Sequence, residues 1–224
     1  MASHNPAEFL RLLAPHILAE LRPPSDLKKF TRNTAVVGAY VEAAVRELVR
    51  RQVSPLHVAS GAVIDQTNIP GDPALPQIDT IVWAPSPAPA VFQVGEFALV
   101  PRSSSFGVLE IKASAYNPAD LDRRLAKDFV QRVTADPAPQ ETAQLGDKVA
   151  GLGVICVRAK AQTQASIDAM KCADRVVVLF EENDDDAISP RPKDIYRLVN
   201  FLGYLRLRGR LHEGIVGINL DLLG

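Results

Sequence analysis

Cysteine is scarce: Cys156 and Cys172 are the only two in a chain of 224 residues. They form no CxxC pair, which excludes a disulfide scaffold and a thiolate metal knuckle and points to a reducing, cytoplasmic setting. Long apolar runs are missing too. No stretch approaches the ~18 residues of a membrane span, so none is expected to cross a bilayer. The N-terminal "MASHNPAEFLRLLAPH" has no basic start followed by an apolar run and predicts no secretory signal. Histidine is sparse, and His4, His16, His57 and His212 fit neither HExxH nor a zinc spacing. There is no GxSxG, which argues against a serine hydrolase. "GLGVIC" at 151–156 lacks the third glycine of a dinucleotide turn. "EENDDD" at 181–186 lacks the glycine and closing glutamate of a calcium loop. Charge of one sign is also lacking. A formal net charge of -1 leaves no global basic field to draw nucleic acid, so such binding must be local or summed over an oligomer.

An apolar content of 47% is too high for a disordered chain and suits one globular core. Asn5, Pro6 and the helical spacing of Phe9, Leu10, Leu13, Ile17 and Leu21 predict a first helix, interrupted near Pro15. A second helix is predicted over about 31–52. Strands follow in "HVASGAVID" (57–65), "QIDTIVW" (77–83) and "FGVLEIKAS" (106–114), with a short strand and a turn in "VFQVGEFALVPRSSS" (91–105). A helix is expected across 117–136, opened by Asn117-Pro118. Then come a strand at 151–159, a helix at 163–173, a strand at 174–180, a helix over about 192–208 and an apolar tail. The order predicts one α/β domain, a central mixed β-sheet flanked by helices.

Two of the strands carry charge where apolar residues are the rule. Glu110 and Lys112 share one face of their strand, while Leu109, Ile111 and Ala113 share the other. Asp79 sits at the start of the preceding main strand. If the two strands are neighbours, three charges converge at one end of the sheet. Buried charges cost several kcal/mol each, roughly, unless paired or metal-bound. Two carboxylates offer hard oxygens of the kind Mg²⁺ prefers, and the Ile111 carbonyl between the charged side chains offers another. An isolated Glu-x-Lys is ordinarily a same-face ion pair on an exposed strand. Glu42 alone reads as a boundary residue or a helical partner of Arg46. Arg123, Arg124 and Lys127 read equally as phosphate contacts or as a solvated helix face. Arg197, Arg206, Arg208 and Arg210 read by default as surface.

The combination is more specific than its parts. "QID" at 77–79 followed by "EIK" at 110–112 resembles the signature of the PD-(D/E)XK nuclease superfamily. "GAYVE" at 38–42, "GAVID" at 61–65 and "LVP" at 99–101 are similar to stretches of the NucC-like endonucleases, effectors of cyclic-oligonucleotide antiphage defence. The resemblance covers about 31–130. It implies a restriction-endonuclease-like core, with Asp79 and Glu110 as metal ligands, Lys112 as the catalytic lysine and Glu42 reaching the metal through water. It implies Mg²⁺, replaceable by Mn²⁺, and double-stranded DNA as substrate. A cyclic oligonucleotide activator and a homo-oligomer, trimer or hexamer, are expected with it. The expected organisation is a single nuclease domain over 1–224, with an N-terminal helical segment at 1–30, a catalytic core at 31–130 and a sheet-and-helix completion at 131–224. A repair or restriction-type nuclease without an activator, or a non-catalytic binder with this fold, are the alternatives.

Overall fold

The computed structural model describes residues 30–65, 75–114, 116–137, 148–159, 164–182 and 188–212, with 139, 142, 143 and 146 between them. The predicted first helix and the apolar tail lie outside the described residues, as does most of the acidic run after Glu182.

Eight strands form one mixed sheet in the order β3-β4-β1-β2-β5-β6-β7-β8. They are β1 (His57–Ile64), β2 (Ile78–Trp83), β3 (Phe92–Val94), β4 (Phe97–Pro101), β5 (Ser105–Lys112), β6 (Gly151–Ala159), β7 (Val176–Glu182) and β8 (Ile188–Pro190). The centre reads as expected: β2 lies antiparallel between β1 and β5, and β6 and β7 continue parallel to β5. The segment read as a short strand and a turn forms a hairpin, β3–β4, whose second strand runs parallel to β1.

The helices form because the sequence caps them. Asn33 Oδ1 accepts the Ala35 and Val36 N–H groups at 3.0 and 3.4 Å and opens α1 (Thr34–Val53); Arg50 and Arg51 in its last turn suit the helix dipole. Asn117 does the same for α2 (Pro118–Leu125), with Pro118 in the first turn. The single helix expected over 117–136 is instead two, since Ala126 is extended and α3 (Lys127–Val133) starts afresh. Each half seats over a glycine of β6. A Cβ on Gly153 would meet Leu121 and Leu125 of α2, and one on Gly151 would meet Val130 of α3. The helix predicted at 163–173 shortens to α4 (Gln164–Asp168), and α5 (Pro192–His212) runs past its predicted end.

The sheet is therefore covered on both faces. α1 and α5 pack together on one, with Leu205 of α5 filling the space beside Gly107 of β5; α2 and α3 cover the other. Glu110 lies beside Gly153 in the β5–β6 register, so its side chain faces α2. Arg208, read as surface, is buried in the α5 interface, where its guanidinium donates to the Phe106 and Ala135 carbonyls. Among the described residues, no helix is long and apolar enough to cross a membrane.

Candidate active site

β2 and β5 bring the charged residues together. Their register pairs Ile81 with Val108 and ends on Thr80 with Leu109, so Asp79 and Glu110 are each the first residue beyond the last ladder pair. Asp79 Oδ2 accepts the Ile111 N–H at 2.8 Å, so a side chain takes the place of a ladder partner. The N–H and C=O of one extended residue point the same way, which puts the Ile111 carbonyl on the same side, beside Asp79. Lys112 Nζ lies 2.6 Å from Glu110 Oε1 and 3.6 Å from Asp79 Oδ2. These three side chains and the Ile111 main chain share one point in space, at the end of β5.

Glu42 comes from α1 on the other face, close enough to feel the charges of both Asp79 and Lys112. Burial, and then the Asp79 carboxylate, push its carboxyl above the ordinary range, against Arg46 and Lys112. Its helical pairing with Arg46 also holds, at 3.8 Å. The same pressures act on Glu110: burial first, then Asp79, push it up, while Lys112 and Arg124 pull it down. For Lys112, burial works toward the neutral form, but the bond to Glu110 and the charges of Glu110 and Asp79 prevail and hold the ammonium on.

The basic residues of α2 and α3 divide. Arg124 belongs to the site: its Nη1 donates to the Gln77 carbonyl at 2.5 Å, and its charge acts on Glu110. Arg123 points outward and pairs with Asp120. Lys127 lines a separate cavity at the far end of the sheet, with Arg102, Arg132 and Lys148.

Sequence reasoning missed the cleft beside Lys112. It has a volume of about 510 Å³ and is walled by Thr31, Arg32, Thr34, Gly38 and Glu42 on one side and by Ile111 to Ser114 on the other. The polar run before α1 was the available signal. Reasoning also reached Arg46 only as a partner of Glu42, whereas it is buried and donates to the Asp79 carbonyl at 3.0 Å.

The residues fit a hard divalent cation. Glu42, Asp79 and Glu110 are three carboxylates beside the cations of Lys112, Arg46 and Arg124, and burial resists the ionised form of Glu42 and Glu110. Among the described residues, no three His, Cys, Asp or Glu side chains close into a metal cage. Asp79, Glu110 and the Ile111 carbonyl are the groups that could hold such a cation, with Glu42 reaching through water.

No protein-family model and no curated protein matches the sequence. Solved structures do. NucC of E. coli MS115-1 in its cAAA-bound form superposes with a TM-score of 0.53 at 18% identity, over 91% of this chain and 92% of that one. NucC of P. aeruginosa ATCC27853, also cAAA-bound, gives 0.53 at 16% identity over 87% and 90%. The apo form of the E. coli protein gives 0.50 at 19% identity over 88% and 90%. Over nearly its whole length, this chain has the fold of NucC.

Proposed function

We propose that this chain is a Mg²⁺-dependent endodeoxyribonuclease, an antiphage-defence effector switched on by a cyclic oligonucleotide. The observation that carries the chemistry is the position of Lys112 between Glu110 and Asp79 at one strand end, 2.6 and 3.6 Å from their oxygens. The activator rests on the fold shared with NucC, whose structures hold cAAA.

Asp79, Glu110 and the Ile111 carbonyl would hold the cation, with Glu42 reaching it through water. When bound, Mg²⁺ supplies polarisation of the scissile phosphate and acidification of a water. Lys112 is a compact, movable cation that turns the attacking water toward phosphorus and offsets charge on the phosphate oxygens. One P–O ester bond breaks as water adds. Arg124 at the rim favours the ionised form of Glu110 and, with Arg123 further along α2, grips the DNA backbone, whereas Lys127 lies in a separate cavity. A single such site cuts one strand, so double-strand cleavage calls for a homo-oligomer, trimer or hexamer, that pairs sites.

The test is cleavage of plasmid DNA with Mg²⁺, alone and with cyclic di- and trinucleotides, cAAA among them. Cleavage that requires metal and a cyclic nucleotide, and disappears in Lys112→Ala, supports the full reading. Cleavage indifferent to every cyclic nucleotide leaves a repair or restriction-type nuclease. Absence of cleavage under all conditions defeats the enzyme reading.

A further inference from the structure

The main chain at Asp79 is irregular. β1 and β2 pair Ala59 with Ile81 and then Gly61 with Ile78, so two β2 residues, Asp79 and Thr80, stand opposite Ser60 alone. Such bulges re-aim side chains and leave a main-chain group without its ladder partner. Here the Asp79 carbonyl accepts from Arg46 Nη1 at 3.0 Å instead. The same guanidinium lies 3.8 Å from Glu42 and donates from Nε to Glu96 Oε2 at 3.2 Å. Its side chain is only 10% exposed. Glu96, on the β3–β4 turn, is gripped a second time by Arg50 Nη2 at 2.9 Å, and its own carbonyl accepts the Ser60 N–H at 2.7 Å. The turn is therefore tied to the strand that faces the bulge.

We propose that Arg46 is a positioning residue of this site: its planar fork pins the Asp79 main chain and the Glu42 carboxylate at one spacing, and Glu96 fixes the fork in that pose. The inference rests on reading the site as a cation-binding nuclease centre. Arg46 touches neither cation nor DNA; it acts through Asp79 and Glu42. An arginine suits the task because it presents several donors in fixed directions. A lysine, one point charge, serves the acceptors one at a time.

Mn²⁺ alone serves as probe, titrated calorimetrically into the full chain well below its unfolding temperature, beside thermal melts. Groups that orient metal ligands are typically worth about 10–100-fold in affinity. Arg46→Met is expected to weaken Mn²⁺ binding by about tenfold or more. Arg46→Lys is expected to recover most of the melting temperature but not the affinity, an outcome that a purely structural arginine does not produce. Glu96→Gln, on the partly exposed turn, keeps the fold and is expected to weaken Mn²⁺ binding about threefold, below the range for a group touching a ligand itself. If Arg46→Met fails to fold, Arg46→Lys and Glu96→Gln carry the test. Full wild-type affinity in the folded variants overturns the positioning role alone. Wild-type protein that takes up no Mn²⁺ overturns the nuclease-centre reading, and the positioning role with it.

Discussion

Lys112 Nζ sits 2.6 Å from Glu110 Oε1, two residues back on the same strand face, and reaches toward Asp79 from there. The ammonium thus occupies the space between the two carboxylates that a divalent cation would also claim. On the proposed reading, lysine and metal would compete for the same oxygens, and the lysine would have to yield them while staying near the phosphate.

Lys112→Ala separates these roles. Removing the ammonium frees both carboxylates, so the variant is expected to bind Mn²⁺ at least as tightly as wild type. Plasmid cleavage is expected to fall by about 10²-fold or more, the usual scale for a lost transition-state charge or proton-transfer group. Calorimetry and a cleavage assay on the same preparation check both. Weaker metal binding in the alanine variant would mean that Lys112 builds the site rather than works in it.

Glu110 gives a prediction in pH. Its carboxyl is pushed up by burial and by Asp79, so the folded protein binds its proton more tightly than the unfolded chain. That contribution to stability is fully present below the unfolded value and is lost as pH rises through the folded one. At neutral pH the ionised, metal-free form is therefore a liability. In EDTA the wild-type melting temperature is expected to fall as pH rises through the folded value, and Glu110→Gln to flatten that fall while abolishing cleavage, its loss of the Lys112 pairing lowering the melting temperature on its own account. In the wild type, Mg²⁺ binding at mildly acidic pH should release protons, seen as a dependence of the binding heat on the buffer.

Much of this was legible along the chain. The β2–β5 pairing was readable because two apolar runs each carry charge on one face only, and period two decides which residues meet. Glu42 was readable from its place in GAYVE. The bulge at Asp79 was not, because it is set between distant strands. The break at Ala126 has no Pro or Gly to announce it; it answers to Gly151 and Gly153, which lie some 25 residues further on. Arg208 read as surface because its acceptors, the Phe106 and Ala135 carbonyls, are far away in sequence. Local chemistry reveals which side chains are unusual, and tertiary contacts decide which main-chain groups need them.

Cysteine supplies an alkaline limit. Burial pushes the Cys156 thiol from its ordinary value of 9.0 up to about 12. Cys172 is pushed up to about 12 as well, by burial and then by its contact with Asp122. Both thiols stay protonated in the native state well past the point where the unfolded chain ionises. The thiols' contribution to stability is therefore expected to be level below about pH 9 and to decline between there and about pH 12. Denaturant titrations across that range check it. At pH 8, thiol labelling of native protein should be slow and should accelerate on unfolding, whereas rapid labelling of Cys156 would place it at the surface.

Gly61 faces Asp79's bulge from the neighbouring strand and permits it. Its φ of +141° is open to glycine and rarely to other residues, and a Cβ there would fall 2.0 Å from the Ala98 carbonyl oxygen of β4. Any side chain must push β4 away from β1 or straighten the bulge. Straightening would return the Asp79 carbonyl to the ladder and turn its carboxylate away from Glu110, since a one-residue slip reverses the faces of a strand. Gly61→Ala is expected to cost about 2–4 kcal/mol, combining backbone strain with overpacking. Gly38→Ala, with open space around the site of its new methyl, is expected to gain up to about 1 kcal/mol from helix propensity. Urea titrations of the pair provide the comparison. If Gly61→Ala proves as stable as wild type and still takes up Mn²⁺ at full strength, the bulge does not aim Asp79.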